Sequence, residues 1–267
     1  ICLMRQQLNF DNTIAKKSLG QNFIKDKNFL LALSSKIKTY SDTNIIEIGP
    51  GTGALTEHLV KKKFKSLYVI EKDRELSDIL DKKYKNKSKV KVINQDALIT
   101  DYKQFNAKEK NIIVGNLPFN VSTQLLFKWL ESEKWPPFYT SMILMFQKEV
   151  AKRIISKPKN KDYSRITVSA QTRCNIKKVM DAPAGIFFPK PKVDGVILEF
   201  TPSLKYQNIN FSKLQKILKL SFSQRRKKIK STLCLHLKEL EIAKIDKNLR
   251  PDNLTINDYC RISELIS

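Results

Sequence analysis

The chain has 267 residues, with 50 Lys and Arg against 26 Asp and Glu for a formal net charge of +24, and its length allows more than one unit, since single cores are commonest at about 100 to 150 residues. So large a cationic excess favours a polyanionic partner, nucleic acid first, while no apolar run approaches the roughly 18 residues of a spanning helix and no Trp-rich amphipathic segment suggests a membrane surface. Cys2, Cys174, Cys234 and Cys260 lie far apart with no Cys-x-x-Cys pair, which argues against a zinc knuckle or a dense disulfide framework and suits reduced thiols in a cytoplasm.

A basic entry from Lys16 to Phe23 leads to a helix predicted from about Asp26 to Tyr40, with apolar residues at Phe29, Leu30, Leu33 and Ile37 and with Asp26 as its cap. Short apolar runs follow at Ile45 to Ile48, Leu67 to Ile70, Val90 to Ile93, Ile112 to Val114 and Met142 to Phe146. They alternate with helical segments such as Glu75 to Tyr84 and Thr123 to Leu130, which predicts a parallel sheet covered on both faces. Beyond the polar stretch Lys157 to Asp162, the segments Ile166 to Thr172 and Val196 to Phe200 are expected to be further strands of that sheet. Pro183, Pro189 and Pro191 exclude regular structure between them. From Asn210 onward only helices are expected, with Leu214, Ile217, Leu218 and Phe222 on one face. The predicted architecture is α/β and Rossmann-like over residues 1–202, with a small all-helical C-terminal domain over 203–267.

The first predicted strand runs into Glu47-Ile48-Gly49-Pro50-Gly51-Thr52-Gly53. Gly49, Gly51 and Gly53 stand where a backbone must turn tightly and approach a ligand without a Cβ in the way. Alone, the turn is a weak signal, open to a structural role or to dinucleotide binding. Ala54 breaks the Gly-x-Gly-x-x-Gly spacing, however, and no phosphate-gripping Lys-Ser/Thr follows. Glu71 ends the second strand about 20 residues later, where a carboxylate can accept both ribose hydroxyls or simply be solvated. After the third strand, Asp96 can take the exocyclic amine of an adenine ring or serve as an ordinary turn aspartate. Three such signals at successive strand ends point to S-adenosylmethionine.

Downstream lies Asn116-Leu117-Pro118-Phe119. An adenine amino group is a poor nucleophile because its lone pair is delocalised into the ring. Acceptance of its hydrogens by the Asn116 side-chain oxygen and by a backbone carbonyl at Leu117 or Pro118 favours a pyramidal nitrogen aligned for in-line displacement. Phe119 supplies a ring for a flipped base. The competing reading is a capped turn into a helix beginning near Ser122, with Phe119 in the core. No cysteine lies in a loop suited to cytosine-carbon chemistry.

Arg225, Arg226, Lys227, Lys228 and Lys230 read as a basic helical stretch docked through Phe222, Ile229 and Leu233 and offering forked contacts to phosphate. The Lys61 to Lys65 group reads as a solvated face. Arg165 is either an RNA contact or a partner in a structural ion pair. His58 and His236 lack ligand-spaced partners, so no metal is expected.

With these residues in place, the chain resembles the ribosomal RNA adenine dimethyltransferase family, within it the bacterial small-subunit branch. The resemblance runs from about Lys16 to Ile262 through six ordered blocks: Leu19 to Ile24, Glu47 to Gly53, Gly115 to Thr123, Gln147 to Val150, Pro189 to Asp194 and Phe222 to Lys227. It implies a class I S-adenosylmethionine-dependent methyltransferase domain in which Asn22 and Ile24 close over the cofactor and Gly49, Glu71, Asp96 and Asn116 contact it. It further implies that Phe119 and Phe187 flank the target adenine. The implied activity is dimethylation of two adjacent adenosines in a hairpin near the 3′ end of the small-subunit (16S) RNA, on a maturing 30S particle, by a cytoplasmic enzyme expected to be a monomer. Phe119 stands where many relatives have tyrosine, Lys190 where proline is frequent and Gly195 where serine is frequent, which leaves the conformation of the substrate loop open. A large-subunit (23S) branch conferring antibiotic resistance generally reads Asn-Ile-Pro-Tyr at the pocket and lacks the Gln-Arg-Arg-Lys block. A non-catalytic RNA-binding assembly factor on the same scaffold is the other alternative.

Overall fold

Runs of Ile, Val and Leu too apolar to leave a wet face form the centre of the molecule. The computed structural model describes residues 20–132 and 134–266; Cys2, Lys16, Lys17 and Leu19 lie outside the described residues. In chain order the elements are β1 (Phe23–Ile24), α1 (Lys27–Lys36), β2 (Thr43–Ile48), α2 (Thr56–Leu59), β3 (Ser66–Glu71), α3 (Arg74–Tyr84), β4 (Val90–Asn94), β5 (Lys110–Gly115), α4 (Ser122–Leu130), β6 (Ser141–Gln147) and α5 (Lys148–Ile154). There follow α6 (Arg165–Arg173), β7 (Cys174–Ala182), β8 (Phe187–Phe188), β9 (Gly195–Pro202), α7 (Phe211–Ser221), α8 (Ile229–Thr232), α9 (Leu237–Ile242) and α10 (Ile256–Leu265).

Seven strands make one sheet in the order β4-β3-β2-β5-β6-β9-β7. The first five are mutually parallel, and β9 runs antiparallel to both β6 and β7. Every residue of β2 is buried, as a strand covered on both faces requires. Its alternation divides the core. Ile45 joins Leu33, Ile37, Leu59, Val69 and Leu80 under α1, α2 and α3. Ile46 and Ile48 join Leu125, Trp129 and Phe146 on the opposite face, and that cluster continues without a break through α6 into Leu214, Leu218, Tyr259 and Ile262 of the C-terminal helices. Local caps agree with this layout: Asp26 accepts from Phe29 N–H at 2.8 Å at the start of α1, and Asp73 accepts from Glu75 N–H at 3.1 Å at the start of α3.

Three expectations are corrected. Ile166 to Thr172 is not a strand but the body of α6, opened by a capping box between Ser164 and Thr167. Seven of its nine residues are buried between the sheet and the C-terminal helices, so no polar face marks a helical period, and its β-branched residues imitate a strand. The seventh strand of the sheet is instead β7, an edge strand whose exposed Lys177 and Lys178 and whose bulge between Lys178 and Met180 hide its alternation. The proline-rich segment also holds regular structure: Phe187 and Phe188 form β8, paired antiparallel with β1. Finally, Arg225 to Lys228 are not helical. They form a turn between a 3-10 turn at Phe222–Gln224 and the start of α8, whose Ile229 is buried.

Phe200 on β9 is fully buried and meets the Phe146 ring edge to face at 5.9 Å. Phe200→Ala is expected to cost about 3 to 5 kcal/mol, read as a lower urea midpoint with an unchanged denaturant slope.

Candidate active site

Parallel pairing of β2 with β5, register Ile48 to Gly115, brings the glycine turn and the Asn116 segment out side by side at the carboxyl edge of the sheet. With β3 on the other flank of β2, this is where crossovers depart to opposite sides and leave a crevice. An open cleft of about 1190 Å³, counting its mouth, lies there, lined among others by Gly49, Gly51, Glu71, Asp96, Asn116 and Phe119. All three turn glycines have positive φ: 64° at Gly49, 58° at Gly51 and 81° at Gly53. Their reasons differ. A Cβ on Gly51 would stand 2.7 Å from the Phe23 ring and one on Gly53 2.5 Å from Leu80, so these two permit close packing of β1 and α3. A Cβ on Gly49 would stand 3.8 Å from both the Asn116 carbonyl oxygen and the Pro118 ring, in the gap between the two motifs.

Glu71 holds the turn from the neighbouring strand. Its two carboxylate oxygens accept from Gly51 N–H at 3.1 Å and Asp73 N–H at 2.9 Å, leaving lone pairs for a ribose diol. Burial raises its pKa despite those two bonds. Beneath the turn lies Glu47, fully enclosed and accepting from the Thr56 hydroxyl at 2.7 Å. Burial, reinforced by the nearby Glu71, pushes its carboxyl up to about 8.

Asp96 accepts from Leu98 N–H at 2.9 Å and pairs with the Lys72 ammonium at 2.8 Å. Partial burial opposes its ionisation, but Lys72 and the Leu98 N–H prevail and hold the carboxyl below the usual range. These acceptors and the open space beside Gly49 suit an adenosine with a methionine-like tail, so the residues present fit S-adenosylmethionine.

The chain before α1 covers the turn. Asn22 donates from Nδ2 to the Gly20 carbonyl at 3.1 Å, and its own carbonyl accepts from Asn116 Nδ2 at 3.1 Å. The amide nitrogen of Asn116 is thus engaged, and its Oδ1 is the atom left to accept from a substrate. Within the tetrapeptide, the Pro118 carbonyl accepts from Val121 and Ser122 N–H at 3.1 Å each, and the Phe119 carbonyl accepts from the Ser122 hydroxyl at 3.2 Å. The start of helix α4 thus occupies those two carbonyls. The Leu117 side chain is buried and Phe119 is half-buried at the cleft wall.

Ile24 lines the cleft while packing in the core. Phe187 sits on β8 opposite Ile24, with 1 % of its surface exposed, in the same apolar cluster against which Phe119 packs. It is thus held behind the cleft wall, not in the lining. Glu47, Lys72 and Phe23 went unread in the sequence as parts of the site. The acidic residue inside the glycine motif was the available signal for Glu47; nothing local announces the other two.

Among the expected RNA contacts, Arg225 donates to the carbonyls of Lys161 and Tyr163 and so ties the lysine loop to the C-terminal helices. Arg165 donates to Gln215 Oε1 at 3.2 Å and lies over the Phe127 ring at 5.0 Å, in place of an ion pair. Arg226, Lys227 and Lys228 are exposed. Among the described residues no group of His, Cys, Asp and Glu is arranged to hold a metal ion, and no helix is long and apolar enough to cross a membrane.

A carboxyl raised from 4.5 to about 8 keeps its proton when folded but loses it when unfolded across that window, so its contribution to stability is present below about pH 4.5 and lost as pH rises towards 8. Thermal melting from pH 5 to 8 is expected to fall more steeply for the native chain than for Glu47→Gln, which retains an acceptor for Thr56. Parallel curves would contradict this placement of the proton.

Comparison with known proteins supports the geometry. The family model described as ribosomal RNA adenine dimethylase matches residues 12–267. Ribosomal RNA small subunit methyltransferase A of Pelagibacter ubique (strain HTCC1062) is 40% identical over 253 residues, 93% of this chain and 95% of that protein. The protein of the same name from Wolbachia pipientis wMel is 39% identical over 255 residues, 93% of this chain and 87% of its own. Among solved structures, a dimethyladenosine transferase from Plasmodium falciparum superposes with a TM-score of 0.78 at 25% identity, covering 90% of this chain and 95% of that one. The 23S rRNA methyltransferase ErmE shares the fold, with a TM-score of 0.67 at 20% identity over 91% of this chain and 98% of its own. A cleft whose residues suit S-adenosylmethionine and a family match over nearly the whole chain converge on one conclusion: the chain belongs to the ribosomal RNA adenine dimethylase family.

Proposed function

We propose that this chain dimethylates N6 of two adjacent adenosines in the 3′-terminal hairpin of small-subunit (16S) RNA, acting in the cytoplasm as a monomer on a maturing 30S particle. The observation that carries the reading is the Asn116 amide beside the glycine turn, whose Nδ2 donates to the Asn22 carbonyl and whose Oδ1, with the Leu117 carbonyl, supplies the acceptors the reaction needs. Two acceptors on one amino group draw its hydrogens aside and direct the nitrogen lone pair out of the ring plane. Bound S-adenosylmethionine supplies an electrophilic sulfonium-bound methyl carbon. Glu71 and Asp96 hold the adenosine end of that donor, and the glycine turn lets its tail approach the backbone. Phe119 gives the extruded base a ring to lie against. The names of the relatives, the Asn-Leu-Pro-Phe tetrapeptide and the Gln224 to Lys227 block favour the small-subunit target over the large-subunit one, and the intact acceptor set favours an enzyme over a non-catalytic assembly factor.

We further assign residues 1–202 to cofactor binding and catalysis and 203–267 to RNA binding. Arg226, Lys227 and Lys228 are exposed there and form no ion pair among the described residues, which suits contact with phosphate. Arg165 and Arg225 contribute chiefly by holding the surface in shape.

Asn116→Ala is expected to lower methyl transfer to unmethylated small subunits by about a hundredfold or more, with cofactor affinity by calorimetry changed less than tenfold. Equal transfer by the variant would remove Asn116 from the reaction, and no transfer by the native chain would remove the enzymatic reading. Replacing Arg226, Lys227 and Lys228 together by Ala is expected to flatten the plot of log affinity against log salt by about 2. An unchanged slope would place the phosphate contacts elsewhere.

A further inference from the structure

We propose that Phe188 is a stacking platform for the unpaired base beside the target adenosine, with Lys190 and Lys192 taking the phosphates that lead to it. The inference rests on the methyl-transfer reading above and adds a second nucleotide subsite to it. Single exposed apolar side chains are common on proteins, so the 42% exposure of Phe188 proves nothing alone. Its setting is what singles it out.

First, its position is fixed. The Ile186 carbonyl accepts from Lys25 N–H at 2.9 Å, Asp194 Oδ1 accepts from Ala184 N–H at 3.0 Å, and the Asp194 carbonyl accepts from Lys148 N–H at 2.9 Å. The segment carrying Phe188 is thus fastened on both sides, which limits the entropy lost when a base settles on the ring.

Second, it is joined to the cleft wall through its strand partner. Phe188 is the register partner of Phe23, whose ring covers Gly51, and it adjoins Phe187, which shares its apolar cluster with Phe119. On a two-stranded ribbon, residues directly opposite share a face, so Phe188 lies on the Phe23 side while Ile24 and Phe187 turn into the core.

Third, Lys190 and Lys192 are exposed and form no ion pair among the described residues. An aromatic face interleaved with free cations is the surface that single-stranded nucleic acid takes. Extruding the target adenine also strips its neighbour of a stacking partner, and the exposed ring held on the strand beside Phe23 replaces that partner. A purine next to the target would then be held for its own turn in the pocket.

The test uses small subunits reconstituted with unmethylated RNA whose 3′-terminal hairpin carries either both adenosines or an abasic nucleotide in place of one, each position in turn. Transfer to the remaining adenosine is measured at subsaturating subunits. For the native chain, the abasic substitution in at least one position is expected to slow transfer about tenfold. Phe188→Leu, which keeps an apolar side chain on β8 but removes the aromatic face, is expected to be about tenfold slower on the intact substrate and indifferent to the abasic site. Phe188→Trp should restore both the rate and the sensitivity. Cofactor affinity and melting temperature should match the native chain in both variants. Full sensitivity to the abasic site in Phe188→Leu, or none in the native chain, would overturn the proposal while leaving the methyl-transfer reading intact. Failure of the native chain to methylate intact subunits would instead remove the reading on which it rests.

Discussion

Everything at the site depends on β2 and β5 lying side by side and ending together. Because parallel neighbours deliver their carboxyl ends to the same edge, the Gly49 turn and the Asn116 segment emerge within one residue's reach, separated only by the room that a missing Cβ provides. The contacts that finish the site are then short. Glu71 reaches across from β3 to the Gly51 amide, and Asn116 reaches to the Asn22 carbonyl. Pairing between strands thus sets the coarse geometry, and a few polar bonds between loops set the fine one.

That division explains what could be read in advance. The five parallel strands carry their signal in contiguous apolar runs, and the motifs at their ends follow in chain order, so the sheet and the cleft were legible without coordinates. The segment Ile166 to Thr172 was not, because a helix buried all round loses the polar stripe that identifies it. Strand β7 failed for the opposite reason, since its edge position fills it with lysines and polar residues. The covering of the glycine turn by Phe23 and the pairing of Lys72 with Asp96 join residues by tertiary contact alone, and no spacing rule reaches them.

Charge is a poorer guide than position. Arg225 reads in the sequence as one of a block of phosphate contacts, yet its guanidinium ties two loop carbonyls, and Arg165 is occupied by Gln215 and Phe127. The planar fork that makes arginine a good ligand for phosphate makes it an equally good brace for backbone carbonyls. The cations left facing water lie beside these braces, at Arg226, Lys227 and Lys228.

The apolar cluster that begins under β2 and runs through α6 to α7 and α10 has a bearing on how such proteins diversify. A cap attached by a linker can be exchanged for another without disturbing its host, but here the C-terminal helices and the sheet complete one another's interior through a shared helix. Any exchange of the C-terminal helices would have to bring with it α6 and the residues of α4, α5 and β7 that pack against it. The surface of those helices can therefore be altered residue by residue at little cost, while the buried seam resists change.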